Sequence, residues 1–246
     1  MGDRIFDRIA GLAALAVAAF SLLYAVGYLV IAPAAQRRSD VDAFYRSYLA
    51  HPGGLRLAST CLLLSGLIIG LPAMALRRRL LGGSGSAATW AAIAGVVAGF
   101  GTAAHGLASL VGTDRLAQHF LNADAATHAA IVLAHVQPSE VDPNGLATFA
   151  LAGLAVLVFG AALRPSRRGL GTLGIVLGVD MVALLVANSV GSTPAVLVTG
   201  GLASVVLGPM WWVSVGRLLL SQPVGLERPP TAGRAGWRRA GPVASI

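Results

Sequence analysis

Six apolar runs, each long enough to cross a bilayer as a helix, constrain this chain more than any other feature of its sequence. A membrane-spanning helix needs about 20 apolar residues, and the runs fall at residues 9–32, 55–76, 89–111, 146–163, 170–190 and 195–220. The chain is 56% hydrophobic and 11% charged, whereas soluble domains carry about 25% charged residues. Because backbone exposed to lipid must satisfy its own hydrogen bonds, we predict an all-α, polytopic transmembrane bundle of about six spans.

One membrane domain accounts for most of the chain. The six runs and their connections fill residues 1–222, which we predict to form a single six-helix transmembrane domain. Pro209 interrupts the last run and should kink that helix, because proline lacks the N–H of a helical hydrogen bond. Residues 223–246 are rich in proline, glycine and arginine without apolar periodicity, which predicts a disordered, basic cytoplasmic tail.

The arginines predict the orientation, because cytoplasmic segments of membrane proteins carry an excess of positive charge. With the N-terminus inside, the inner segments contain most of the 18 basic residues: Arg4, Arg8, Arg77, Arg78, Arg79, Arg164, Arg167, Arg168, Arg217, Arg228, Arg234, Arg238 and Arg239. The outer segments contain Arg37, Arg38, Arg46, Arg56 and Arg115. We therefore expect both termini to be cytoplasmic and the inner arginines to contact anionic lipid headgroups.

The same residues exclude several classes of function. The net charge of +8 comes from arginines at the ends of the spans, so it does not indicate nucleic-acid binding. The chain contains no lysine, which excludes a Schiff-base lysine and a P-loop. Cys61 is the only cysteine, which excludes an intrachain disulfide and a cysteine-based zinc or iron–sulfur site.

The first outer connection, residues 37–54, has the pattern of a short amphipathic helix. Its apolar positions recur with helical spacing on one face, at Val41, Phe44, Tyr45 and Tyr48. Ser39 and Asp42 have the spacing of a capping box at its start. We expect this helix to lie on the membrane surface with its aromatic side down.

Three pairs of glycines, each spaced by four residues, predict close helix packing, because small residues let backbones approach in the membrane. They are Gly66 and Gly70 in span two, Gly95 and Gly99 in span three, and Gly174 and Gly178 in span five. Spans three and five both carry the motif, so we expect them to approach each other.

Asp180 and His105 are the polar residues that most directly suggest a function. Asp180 lies near the middle of span five, and an ionisable side chain at that depth is costly and commonly functional. His105 lies in the outer half of span three and is its expected partner, as a proton relay, a ligand-binding pair or part of a metal site. The alternatives are a protonated Asp180 bonded to a neighbouring helix and a His105 bonded to a carbonyl.

The longest loop, residues 113–145, supplies a second group of candidates. Asp124, His128 and His135 fall in one stripe of a predicted amphipathic helix, and an acid and a histidine one turn apart can share a metal ion. Candidate ligands of an outward-facing metal or haem are His105, His119, Asp124, His128 and His135, with Asp114, Glu140 and Asp142 available to complete a site. The alternative is a solvated polar face.

The layout resembles that of small six-helix membrane proteins of bacteria with GC-rich genomes. The resemblance rests on the basic turns Arg77–Arg79 and Arg164–Arg168, the aromatic first outer loop and the absence of lysine. Such families are mostly of unknown function, so the resemblance implies a multi-pass protein of the bacterial inner membrane and transfers no active site.

Three functions remain open at this point. The first is a non-catalytic accessory or ligand-binding membrane subunit that contacts lipid and a protein partner or a second copy of itself. The second is a membrane-embedded enzyme or redox protein with an outward-facing His/Asp metal or haem site. The third is a small proton-coupled transporter that uses Asp180.

Overall fold

A computed structural model of the chain describes residues 2–29, 40–80, 85–136 and 141–221. All regular structure within these residues is helical, and six helical segments are long and apolar enough to cross a membrane. They cover Arg4–Tyr28, Pro52–Leu80, Gly85–Phe120, Pro143–Leu163, Arg168–Ser189 and Thr193–Leu220. The prediction of an all-α chain with six long apolar helices is confirmed, and we refer to these helices as spans one to six.

The spans are built from eight α-helices, two π-helical segments and the 3₁₀ turn Pro143–Gly145 at the start of span four, and two further helices connect them. Span one is α1 (Gly2–Leu29), span two is α3 (Pro52–Ile68) with α4 (Gly70–Leu80), and span three is α5 (Gly85–Phe120). Span four is a π-helical segment (Leu146–Leu151) with α7 (Ala152–Leu163), and span five is α8 (Arg168–Ser189). Span six is α9 (Thr193–Gly201), a π-helical segment (Leu202–Leu207) and α10 (Gly208–Leu220). The connecting helices are α2 (Val41–Ala50) and α6 (Ala125–Val136).

Two features of the helices differ from the prediction by more than a shift of a few residues at a helix end. Span two is interrupted at Ile69, because Pro72 cannot donate the hydrogen bond that would reach the carbonyl of Ile68. α5 extends to Phe120 instead of ending near residue 111. Ala117 and Phe120 in the added turns are buried against α2 and α6, so tertiary packing continues the helix beyond the apolar stretch that hydropathy detects.

Glycines bring neighbouring helices together in pairs. In the α3–α5 pair, a Cβ atom at Gly99 would lie 2.7 Å from the carbonyl oxygen of Gly66. In the α7–α8 pair, a Cβ atom at Gly153 would lie 2.9 Å from the carbonyl oxygen of Gly178. Four of the predicted motif glycines therefore lie within 3 Å of the backbone of the paired helix, measured from a Cβ position: Gly66, Gly99, Gly174 and Gly178.

The expected approach of spans three and five is wrong. α5 packs against α3, α4 and α7, whereas α8 packs against α7 and α9. Within the described residues, α5 and α8 make no extended contact. Each helix directs its glycine face at its partner in the pair, so the glycine faces of α5 and α8 do not meet each other.

Two spans contain a π-helical segment, which lies near the start of span four and in the middle of span six. In span six, the Gly208 N–H bonds to the Ala203 carbonyl five residues back, immediately before Pro209. The position of the expected kink, Pro209, therefore directly follows a π-helical turn. In span four, the π-helical segment follows Asn144 and Gly145, whose φ angles of 54° and 80° are left-handed. Such segments occur frequently at functional sites.

One end of the bundle is closed by a structure that we call the cap, formed by α2, the last turns of α5, and α6. Tyr45 and Tyr48 are 1% and 4% exposed there, and the Tyr48 hydroxyl donates a hydrogen bond to Asp114. Burial raises the pKa of Tyr45 to about 12. The expected contact of the aromatic face with the membrane surface is wrong, because protein covers that face.

The start of α2 also differs from the capping box that the sequence suggests. The N-cap residue is Asp40, whose side chain accepts a hydrogen bond from the Ala43 N–H at 3.1 Å. Ser39 lies outside the described residues.

The opposite end, which we call the arginine end, is held by Arg79. Its guanidinium donates to the Asp7 carboxylate at 3.0 Å and to the carbonyl oxygens of Leu218 and Leu219 at 2.6 and 2.9 Å. Arg79 therefore joins spans one, two and six. The predicted basic tail, residues 223–246, lies outside the described residues.

Candidate functional site

A cavity of about 500 Å³ lies in the bundle, and residues from all six spans line it. Its wall extends from Tyr28, His105 and Asn188 near the cap to Phe159 and Trp211 towards the arginine end. Small residues create much of the space: Gly95, Ala98, Ala152, Ala155, Gly200 and Gly201 all line it. Because the helices pack closely in glycine-rich pairs, this small-residue lining leaves the space between the pairs unfilled.

The cavity is polar near the cap, where five side chains form what we call the polar end: His105, Asp142, Asn144, Thr148 and Asn188. Asp142 organises this region and is 1% exposed. Its carboxylate accepts hydrogen bonds from the Ala147 N–H at 2.7 Å, the Thr148 N–H at 3.3 Å and the Thr148 hydroxyl at 2.6 Å. These bonds satisfy donors at the start of span four, as an N-terminal cap does.

His105 is the accessible neighbour of this buried acid. Its Nδ1 atom lies 3.8 Å from the Oδ2 atom of Asp142, and its side chain is 35% exposed whereas that of Asp142 is 0% exposed. A separation of 3.8 Å is longer than a hydrogen bond but short enough for electrostatic attraction to a carboxylate. Asp142 therefore lies behind His105, and the imidazole presents the polar surface to the cavity.

Asn188 links span five to the loop before span four. Its side-chain amide donates to the Asn144 carbonyl oxygen at 2.8 Å. This carbonyl belongs to a left-handed residue, so it lies outside any helical hydrogen-bond ladder. The bond fixes the far side of the polar end.

The cavity lies beside a gap between α1 and α9. α1 packs against α10, but α9 packs against α8, and α1 and α9 make no extended contact among the described residues. Both sides of the gap line the cavity, through Tyr24 and Tyr28 on α1 and Leu197 on α9. Tyr28 is 39% and Leu197 57% exposed, and α9 contains no buried residue.

Asp180 lies beside the cavity rather than on its wall. On α8 the lining residues are Leu177, Met181, Leu184 and Asn188, and Asp180 is rotated about 40–60° from Leu184 and Leu177 on the helix. Its Oδ2 atom is buried and has no hydrogen-bond partner among the described residues. The structure places Asp142, not Asp180, beside His105.

The other predicted site residues lie in the cap. Asp124 is exposed and accepts a hydrogen bond from the Thr127 N–H at 2.8 Å, which keeps the pKa of its carboxyl below the usual value. It therefore caps α6. His128 lies 3.3 Å from Asp42 and stacks against Phe120, with ring centroids 4.6 Å apart.

His135 contacts the Phe44 ring at 4.6 Å between centroids, whereas His119 is exposed. The stripe of α6 that carries His128 and His135 thus faces the aromatic cluster of the cap. Within the described residues, no three His, Cys, Asp or Glu side chains are grouped closely enough to hold one metal ion. Glu140 lies outside those residues.

Sequence reasoning gave Asp142 too little weight. It counted Asp142 among several loop acids, although Asp142-Pro143-Asn144-Gly145 directly precedes span four. An acid before proline at the start of an apolar run is a recognisable helix-start signal. The chain matches no protein-family model, no curated protein and no solved structure in the comparisons made with it.

Proposed function

We propose that the protein binds an amphipathic lipid-like molecule in the cavity, with the polar group of that molecule at the polar end. One observation carries the proposal: an apolar cavity lined by all six spans contains a few polar side chains concentrated near the cap. Ligand sites in proteins have volumes of about 300–1,000 Å³ and combine apolar walls with few polar groups. The volume of about 500 Å³ falls within that range.

The gap between α1 and α9 supports a ligand that dissolves in the bilayer. A molecule entering there would pass Tyr24 and Leu197, which line the cavity from the two sides. Among the described residues the gap lies between two membrane spans, so it would face molecules dissolved in the bilayer. We therefore propose that this protein is a ligand-binding membrane protein.

Tryptophan fluorescence tests the proposal. Trp211 and Trp212 line the cavity, and replacing Trp90 and Trp237 with phenylalanine leaves these two as the only indoles. A dibrominated oleyl chain, supplied as an alcohol or as a phosphate, should quench their emission saturably when it occupies the cavity. Gly201→Phe should reduce the quenching, because Gly201 lines the cavity and its Cβ position meets no atom within 4 Å.

Val198→Phe is the matched control. Val198 is also on α9, is 62% exposed and does not line the cavity, so this variant should retain the quenching of the parent protein. Equal quenching in both phenylalanine variants, or no saturable quenching by either brominated probe, would refute binding in the cavity.

We further propose that both termini face the cytoplasm of a bacterial inner membrane, as the inner excess of arginine indicates. The cap and the polar end then face outwards. With Cys61 replaced by alanine, a membrane-impermeant maleimide should label Asp124→Cys in intact cells but should label Arg167→Cys only after lysis. Both positions are exposed, so the reverse pattern would overturn the orientation.

A further inference from the structure

We propose that Asp180 is a proton-binding site inside the membrane, a carboxylic acid that keeps its proton at neutral pH. This inference goes beyond the proposed function and does not depend on a ligand in the cavity. α8 runs from Arg168 to Ser189, so at 1.5 Å per residue Asp180 lies about 18 Å from one end of the helix and about 14 Å from the other. Its carboxyl group is therefore close to the middle of a hydrocarbon core about 30 Å thick.

No helix that packs extensively against α8 offers a charge to pair with Asp180. Those neighbours are α7, α9, α10, both π-helical segments and the turn Pro143–Gly145. Apart from α10, these segments contain no ionisable side chain. The one ionisable residue of α10 is Arg217, in the last turn of that helix at the arginine end.

The ionisable groups of the cavity wall are also distant from Asp180. His105 and Asp142 belong to the polar end, which meets α8 at Asn188. Asn188 lies eight residues after Asp180 in the sequence, a rise of about 12 Å along the helix. The polar end and Asp180 are therefore separate sites at different depths.

The absence of a counter-ion favours the neutral form of Asp180. Its side chain is partly buried, and its Oδ2 atom is buried without a hydrogen-bond partner among the described residues. An unpaired charge away from water is costly, and a carboxyl group in such surroundings takes up a proton instead. A carboxylate at the centre of a membrane span would need a cation or water that these neighbouring helices do not supply.

The register of α8 against span six places Asp180 beside the π-helical segment Leu202–Leu207. A Cβ atom at Gly200 would lie 3.8 Å from Leu184, and one at Gly174 would lie 2.5 Å from the Trp211 ring. These two contacts show that the helices run antiparallel, with the height of Asp180 between them, near Ser204. Asp180 is rotated by only about 40° from Leu184, so it lies towards this side of α8.

One backbone carbonyl at this height, that of Ser204, lacks a helical N–H donor. The Gly208 N–H, which would serve it in an α-helix, bonds to the Ala203 carbonyl instead. The next residue, Pro209, has no N–H. A carboxylic acid can donate to a carbonyl oxygen, whereas a carboxylate can only accept, so the π-helical segment suits the protonated form of Asp180.

Dicyclohexylcarbodiimide tests the inference, because it dissolves in membranes and reacts with protonated carboxyl groups. The acid proton moves to one nitrogen of the reagent, and the carboxyl oxygen bonds to its central carbon. The acyl group then shifts from oxygen to nitrogen to give a stable N-acylurea. No atom leaves, so the protein gains the mass of one reagent molecule.

At neutral pH, where a solvated carboxyl group is ionised, we expect one added reagent molecule per protein, located on Asp180 by fragmentation of its peptide. Asp180→Asn should not be labelled, and Asp180→Glu, which restores an acid, should be labelled again. Asp7 is the control within the same protein, because it also lies on a span but pairs with Arg79 at 3.0 Å. Labelling of Asp7 without labelling of Asp180 would overturn the inference.

Infrared difference spectroscopy gives the charge state of Asp180 without a reagent. The spectrum of the parent protein at neutral pH, minus that of Asp180→Asn, should contain the C=O stretching band of a carboxylic acid. Asparagine is a neutral residue of similar shape, so the two proteins should also have the same midpoint of denaturation. A carboxylate band in the difference spectrum, in place of the acid band, would show that Asp180 is ionised and would refute the proposal.

Discussion

His105 faces Asp142 across 3.8 Å at the polar end of the cavity, although His105 lies in span three and Asp142 directly precedes span four. The sequence indicated both residues as candidates, but it predicted Asp180, not Asp142, as the partner of His105. The reason is physical: an acid in the middle of an apolar run stands out, whereas an acid at the start of a span has the pattern of an ordinary loop residue. Only the left-handed turn at Asn144 and Gly145 brings Asp142 into the bundle.

The cap illustrates the same limit at the level of single side chains. The helical spacing of Tyr45 and Tyr48, and of His128 and His135, predicts which residues share a face. It does not predict what that face contacts. In the cap the two faces meet each other, as the 5.4 Å separation between the Tyr45 and His135 rings shows. Asp124 was predicted as a metal ligand, and its observed contact is the cap of α6.

At the scale of helices, the sequence predicts most of the helices but fewer of the contacts between them. Apolar length locates all six spans, and the glycine motifs locate close contacts. A motif gives one half of an interface, however, and the partner helix follows from three-dimensional packing. Gly99 meets Gly66 on α3, and Gly178 meets Gly153 on α7, so neither glycine is available to join α5 to α8.

The α3–α5 contact gives a prediction about stability. In Gly66→Ala, the new methyl group would overlap the Ala103 backbone nitrogen and lie 2.8 Å from its Cα atom. Backbone cannot move aside as a flexible side chain can, so we expect a loss of about 1–3 kcal/mol in the free energy of unfolding. Reversible denaturation in mixed micelles, followed by circular dichroism, measures this loss.

Gly112→Ala is the matched control for that measurement. Gly112 is also inside a helix, on α5, but a Cβ atom there meets no atom within 4 Å. Alanine has a higher helix propensity than glycine, so this variant should be unchanged or more stable by up to about 1 kcal/mol. A similar loss in both variants would show that the tight α3–α5 packing does not determine the stability.

At the scale of the whole molecule, the helix pairs and the connections at the two ends enclose space instead of filling it. Arg79 joins spans one, two and six at the arginine end, and the aromatic cap joins α2, α5 and α6 at the other. Between them, small residues on facing helices leave the cavity. Hydropathy cannot reveal such a space, because glycine and alanine in an apolar run are equally compatible with tight packing and with a ligand site.

The most direct test of a ligand in the bundle is mass spectrometry of the intact protein after gentle extraction from the membrane in which it was produced. The account predicts a protein that retains one lipid-sized molecule, which is depleted in Gly201→Phe and retained in Val198→Phe. If the parent protein carries no such molecule, or carries the same amount as Gly201→Phe, the cavity is not a ligand site and the central claim is wrong.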